Sequence, residues 1–267
     1  MTPYAEVIGD PIEHSLSPKI HQYWLDELGI DARYRATRVA PVELPAYLQG
    51  CRGDADWRGC NLTMPLKTAA LELVDDVDPV TRRIGALNVI VRQEDRLIGA
   101  NTDRQAIAFL LESNRCYPSR VAIVGTGGVA RAALAQMRQA KVHQVDLVSR
   151  SPERARALLA EFGLSGHVIE LGGRPVADLL INASPLGMTG HPPLALDLSG
   201  LAADATVFEM VYMPIETHLL RRARHRGLRT IDGLTMLIRQ AAFAFEFFFG
   251  RLPEPVDPSI LRDRLTS

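Results

Sequence analysis

Six consecutive residues, Gly125-Thr126-Gly127-Gly128-Val129-Ala130, constrain this chain more than any other segment because of what flanks them. Residues 120–124 read as a short buried strand, and Ala133, Leu134 and Met137 follow at helical spacing. A strand, a Gly-x-Gly-x-x-Ala turn and a helix form the setting in which backbone N–H groups approach a pyrophosphate and the helix N-terminus favours its charge. Gly125, Gly127, Gly128, Val129 and Ala130 are therefore the expected dinucleotide contacts. Around this turn, residues 121–124, 145–148, 179–181 and 206–208 are short apolar runs, with helical stretches between several of them. That alternation predicts a doubly wound parallel sheet.

The end of the second of these runs selects between the two nicotinamide cofactors. An acid there suits the adenosine ribose hydroxyls of NAD, whereas a basic residue suits the 2′-phosphate of NADP. Residues 145–148 lead into Ser149-Arg150-Ser151, with Arg154 one turn further on. Arg150 offers bidentate pairing to phosphate oxygens, and Ser149, Ser151 and Arg154 add contacts, so NADP is the expected cofactor. Asp146, inside the run, is the one residue that argues the other way.

The N-terminal part carries a second kind of signal. In Asn61-Leu62-Thr63-Met64-Pro65-Leu66-Lys67, a lysine stands two positions past a proline suited to open a helix. A cation in a first helical turn opposes the macrodipole, which favours the neutral amine. Gly99-Ala100-Asn101-Thr102-Asp103 ends a short apolar strand and offers an acid just before the helical pattern Ile107, Leu110, Leu111. Folded side by side, Lys67 and Asp103 form a proton-transfer couple; apart, they are a solvated helix lysine and an N-cap. Ser17-Pro18 likewise starts a helix with the stripe Ile20, Trp24, Leu28, where Ser17 either caps the helix or helps its N-terminus hold an anion. Asp78-Pro79 repeats the start signal. Asn88, in the apolar run 87–91, either satisfies backbone groups or binds a ligand hydroxyl.

A length of 267 residues favours two domains, or one with a large appendage, and 47% hydrophobic with 23% charged residues describes a folded globular chain. Thirty basic and 31 acidic residues leave a net charge of −1, so no general field draws the chain to nucleic acid or to an anionic membrane. Cys51, Cys60 and Cys116 lack paired spacing, and the histidines lack ligand spacing, so neither a disulfide framework nor a metal site is expected. A reducing cytoplasm fits, and neither a signal peptide nor a membrane span is evident. The helical pattern Leu234, Leu237, Ile238, Ala241, Phe245 lies beyond the alternating region. It is expected to return to the N-terminal part, which divides the chain into 1–103 completed by 233–267, and 104–232.

Taken in order, Ser15-Leu16-Ser17-Pro18, residues 61–67, Gly85-Ala86-Leu87-Asn88, Asn101-Thr102-Asp103, Asn182-Ala183-Ser184-Pro185-Leu186-Gly187-Met188, Tyr212-Met213-Pro214 and residues 233–240 form a set. This set resembles the shikimate dehydrogenase family over about residues 7–250. The resemblance implies an α/β chain of two domains: a Rossmann-type NADP-binding domain, and an α/β substrate-binding domain across a cleft from it. It implies reversible reduction of 3-dehydroshikimate to shikimate with NADPH, on the route to chorismate and aromatic amino acids. In that reading Ser15 and Ser17 bind the ring carboxylate, and Thr63, Asn88, Asp103, Tyr212 and Gln240 surround the ring. Lys67 and Asp103 are then the catalytic pair. Ala183, Met188 and Gly233 join the cofactor contacts, although Met188 equally suits core packing. The partner is a small molecule, and the chain is a monomer or homodimer.

Three positions depart from the family's usual pattern: Val89 stands for threonine, Glu209 for aspartate and Ala106 for glycine. They bear on turnover and substrate preference and remove no proton-transfer or carboxylate-binding residue. Competing readings are a dehydrogenase of quinate or another hydroxylated cyclohexane acid, a folate one-carbon enzyme with no role for Ser15, Ser17 or Gln240, and a non-catalytic NADP-binding paralogue.

Overall fold

In the computed structural model, which describes residues 2–253 and 258–266, the chain divides into two compact units. One is Met1–Thr102 with Ile238–Ser267, the other Asp103–Leu237. Met1, residues 254–257 and Ser267, which belong to the expected first domain, lie outside the described residues.

The first unit holds strands β1 (Tyr4–Gly9), β2 (Arg33–Arg38), β3 (Trp57–Leu62), β4 (Asp76–Val77), β5 (Val89–Gln93) and β6 (Arg96–Ala100). They form one sheet in the order β2-β1-β3-β5-β6-β4, parallel except for β5, which runs against both its neighbours. Helices α1 (Ser17–Glu27), α2 (Leu44–Arg52) and α3 (Pro79–Ile84) connect the strands. The Asp78 side chain accepts from the Val80 and Thr81 N–H groups, so the expected start of α3 is where its cap stands. At α1 the capping position is Leu16 rather than Ser17, and it makes no side-chain cap bond. The hydroxyl of the preceding residue takes over, because Ser15 Oγ accepts from the Ser17 N–H at 3.3 Å.

The second unit runs α4 (Thr102–Ser113), β7 (Arg120–Val124), α5 (Gly128–Gln139), β8 (Gln144–Val148), α6 (Pro152–Phe162), β9 (Val168–Ile169), β10 (Leu179–Asn182), β11 (Thr206–Glu209), α7 (His218–His225) and β12 (Arg229–Ile231). Helix and strand alternate except from β9 to β11, which follow one another with no α-helix between them. Its strands pair in parallel, in the order β12-β11-β10-β7-β8-β9. The order reverses between β7 and β10, the switch point of a Rossmann-type sheet, as the apolar runs predict. Its core joins Val124, Leu180 and Val207 from the strands to Leu219 and Ala223 of α7. Helices α8 (Gly233–Phe249) and α9 (Pro258–Thr266) complete the chain, and the division between the units falls inside α4 and α8.

Two fully buried titratable side chains of the first unit, Glu6 and His21, bear on its stability. Glu6 on β1 is fully buried and accepts from Trp57 Nε1 at 2.7 Å, the Tyr47 hydroxyl at 2.7 Å, Thr37 Oγ1 at 2.5 Å and Arg35 Nε at 3.1 Å. His21 on α1 is equally buried, stacked on Tyr34 with centroids 3.9 Å apart and near Phe245 at 5.8 Å. Neither imidazole nitrogen has a hydrogen-bond partner among the described residues, and burial pushes the ring's pKa down from 6.5 to about 3. Since the folded value lies below the unfolded one, the neutral ring's contribution is complete above about pH 6.5 and is lost as pH falls toward 3. By that linkage His21 removes about 2 kcal/mol between pH 7 and pH 5. His21→Phe is expected to flatten the pH dependence by that amount in paired urea titrations; parallel profiles would mean that folding does not lower the ring's pKa.

Candidate functional site

Of the residues expected to serve the ring, those of the first unit, Ser15, Ser17, Thr63, Lys67, Asn88 and Gln240, lie toward one end of its sheet. β1, β3 and β6 are mutually aligned, and their carboxyl ends lead into Ser15 and Ser17, into Thr63 and Lys67, and into Asn101-Thr102. Carboxyl ends of aligned strands are where open α/β sheets hold ligands. Antiparallel β5 brings Asn88 to the same end from its own start. The Thr63 N–H donates to the Ile8 carbonyl at 3.0 Å, and the Leu87 N–H to the Lys67 carbonyl at 2.8 Å, so the 63–67 loop is pinned from both sides.

Asn88 is almost fully buried and saturated: Nδ2 donates to Thr102 Oγ1 at 2.9 Å and to Gln240 Oε1 at 3.2 Å, and Oδ1 accepts from the Thr102 N–H at 2.7 Å. It therefore caps the start of α4 and orients Gln240 at once. Behind it runs a relay absent from the sequence reading. The Tyr34 hydroxyl donates to Asn61 Oδ1 at 2.6 Å, and Asn61 Nδ2 donates to the Asn88 carbonyl at 3.1 Å. The only sequence hint was Asn61 itself, a polar residue closing an apolar strand.

The helix expected from Pro65 does not form. The Met64–Pro65 peptide is cis, residues 64–68 are turns, and a 3-10 helix, Ala69–Leu73, follows. Lys67 is half-buried within those turns, so the helix-dipole argument has no α-helix to act through. Asp103, in the second unit, is buried and sits inside the first turn of α4 rather than at its cap.

In the second unit the glycine turn lies at the switch point. Gly125 has φ 105°, its N–H donates to the Val148 carbonyl at 3.0 Å, and a Cβ there would meet the Ala183 carbonyl oxygen at 2.9 Å. Only glycine fits so close an approach in that conformation. Gly127 caps α5 without a side-chain bond, no acid stands in the first turn, and a Cβ on Gly127 would meet nothing within 4 Å. Protein packing does not require glycine at 127; a pyrophosphate against the α5 N–H groups of Gly128, Val129 and Ala130 does, so these residues fit a dinucleotide. At the tip of β8, Ser149 is buried and its Oγ accepts from the Ser151 N–H at 3.0 Å, while Arg150 and Arg154 are exposed. Asp146 is held aside, accepting from the His167 N–H at 2.8 Å.

The loops after β10 and β11 complete this end of the sheet. They carry Ala183 and Met188 on one side and Tyr212 on the other, all half-buried, and burial raises the Tyr212 phenol above its ordinary value. A Cβ on Gly233 would collide with the Val211 carbonyl, so α8 starts against the Tyr212 segment. Between the loops lies a group the sequence reading noted only as a departure. Glu209 is fully buried; its Oε1 accepts from Asn182 Nδ2 at 2.8 Å and from the Val211 N–H at 3.0 Å, and its Oε2 accepts from Thr217 Oγ1 at 2.9 Å. Burial pushes its carboxyl up to about 7 despite those donors.

Comparison with known proteins gives a consistent picture. Residues 7–90 match the family model for the shikimate dehydrogenase substrate binding domain, and residues 233–256 the shikimate 5'-dehydrogenase C-terminal domain. Residues 120–183 match the coenzyme F420-dependent NADP oxidoreductase model. The chain is 52% identical over 254 residues to a shikimate dehydrogenase (NADP(+)) of Sphingopyxis alaskensis, covering 94% of this chain and 93% of that one. Among solved structures it is similar to shikimate 5-dehydrogenase from Thermus thermophilus in complex with NADP(H) and shikimate. That match has a TM-score of 0.86 and 36% identity, over 98% of this chain and 97% of the other. It is also similar to quinate dehydrogenase from Corynebacterium glutamicum in complex with NAD, with a TM-score of 0.83 and 29% identity over 99% of each chain. Among the described residues no helix is long and apolar enough to cross a membrane.

Proposed function

We propose that this chain, which belongs to the shikimate dehydrogenase family, reversibly reduces 3-dehydroshikimate to shikimate with NADPH, a step toward chorismate and the aromatic amino acids. The observation that carries the reading is the hydrogen bond between Asn88 and Gln240 at 3.2 Å. Two residues 152 positions apart, each expected to serve the same ring, are tied together at the carboxyl end of the first sheet. In this reading Ser15 and Ser17 at the start of α1 hold the ring carboxylate, and Thr63 and Tyr212 take ring hydroxyls.

Bound NADPH supplies the hydride that reduces the ring ketone. The hydride goes to the ketone carbon, and the protein's part is the proton on the ketone oxygen. Lys67 and Asp103 deliver it in reduction and remove it in oxidation, sharing it as a coupled pair rather than as separate groups. The glycine turn, Val129 and Ala130 take the pyrophosphate, and Ser149, Arg150, Ser151 and Arg154 the 2′-phosphate. Ala183, Met188 and Gly233 face the nicotinamide end. The enzyme works in the cytoplasm, as a monomer or homodimer, with Cys51, Cys60 and Cys116 reduced.

Steady-state assays with shikimate and quinate, each with NADP and NAD, test the reading. Shikimate with NADP is expected to give the highest kcat/KM. Arg150→Ala is expected to raise KM for NADP roughly tenfold to a hundredfold, the loss of one charge-assisted phosphate contact, and to leave NAD kinetics unchanged. A preference for quinate with NAD would replace both the substrate and the role of Arg150.

A further inference from the structure

Glu209 ends β11 and pairs in register with Asn182, which ends β10. Its three donors lie at the end of β10 and at two points of the segment after β11. Asn182 opens the loop that carries Ala183 and Met188, and organises it: its Nδ2 also donates to the Leu186 carbonyl at 2.9 Å, and its Oδ1 accepts from Ser184 Oγ at 2.7 Å. Val211 precedes Tyr212 and backs onto Gly233. Thr217 caps α7, its hydroxyl accepting from the Leu220 N–H at 3.2 Å. Among the described residues no cation pairs with Glu209, and a buried carboxylate without a counter-ion is costly to keep. A group retained at such cost, at the carboxyl edge of a Rossmann sheet, has a positional task.

We propose that Glu209 is a positioning residue for the nicotinamide half of the cofactor, locking the 182–188 and 210–217 loops together so that Ala183 and Tyr212 present one surface. The inference rests on the NADP reading above and deepens it. Glu209 touches no reacting atom in this scheme; it acts through Asn182, Val211 and Thr217. The adenosine half is held by the Gly125 turn and Arg150, neither of which is hydrogen-bonded to Glu209.

The test compares NADPH with 2′,5′-ADP, which carries only the adenosine and 2′-phosphate half, by calorimetry on the full chain. Glu209→Gln puts an amide donor where an acceptor is needed. It is expected to weaken NADPH at least about tenfold while 2′,5′-ADP changes by less than about twofold. Glu209→Asp keeps the acceptor charge and is expected to return NADPH binding to within about threefold of the unaltered chain. Thr217→Val removes one donor, leaves the carboxylate in place and is expected to shift NADPH alone in the same direction, which keeps the test readable if Glu209→Gln does not fold. Equal weakening of both ligands, or of neither, overturns the proposal. The activity assignment fails on a different result, an unaltered chain that binds NADPH but does not oxidise shikimate, and the two-ligand comparison still decides the role of Glu209.

Discussion

The Lys67→Met enzyme is expected to fold normally and to lose about a hundredfold to ten-thousandfold in kcat, the range for a positioned proton-transfer group. Stability should hardly move, because the 63–67 loop is fixed by backbone bonds that the substitution leaves in place: Thr63 to the Ile8 carbonyl, and Leu87 to the carbonyl of residue 67 itself. Methionine also preserves most of the aliphatic stem. Asp103→Asn should cost a similar factor. Because the two are proposed to move one proton as a unit, the double variant should be little worse than the poorer single variant. Independent, multiplicative losses would dissolve the couple, and kcat retained within about threefold in Lys67→Met would leave the reaction without its proton donor.

Glu6→Ala should be the most damaging change away from the chemistry. Its carboxylate is the common acceptor for Trp57, Tyr47, Thr37 and Arg35, and Trp57 is as deeply buried as Glu6. Truncation strands the fully buried indole N–H and takes the acceptor from the half-buried tyrosine hydroxyl, at a cost of about 3–5 kcal/mol. The ion pair is the minor part, since the Arg35 side chain is 54% exposed and therefore well screened. Arg35→Ala is accordingly expected to cost less than about 1 kcal/mol. Thermal unfolding should show a drop on the order of 10 °C for Glu6→Ala. Equal shifts for the two variants would mean that charge, not the stranded donors, dominates.

These contrasts mark what the amino-acid order reveals and what it hides. Strands β7, β8, β10 and β11 were legible because each is an apolar run long enough to stand out between helical stretches. β9 and β12 were not, because two half-buried residues and three residues ending in one buried isoleucine carry no readable period. Pro65 was misread because a proline suited to open a helix equally suits a turn, and only the packing of the 63–67 loop decides between them. Ser17 was misplaced by one position as a cap, within the usual uncertainty of helix ends. The partners of Glu6 lie 29 to 51 positions away and the Asn182–Glu209 pair spans 27, so no local pattern announces either network. For the site, residue types and order were visible early, whereas the groups that orient them, Tyr34, Asn61 and Glu209, emerged only with the fold.

The order of strands in the two sheets also bears on how crowded solutions of this chain behave. A sheet ends in unpaired backbone groups that a neighbouring molecule can extend. Three of the four outermost strands here, β4, β9 and β12, are only two or three residues long and offer almost no template. The fourth, β2, is six residues long but is lined by the long side chains of Arg33, Arg35 and Arg38, the last two paired with Glu6 and Asp10, so an incoming strand would meet charged groups that must be desolvated. Short rims and a charged rim together disfavour stacking of these sheets edge to edge.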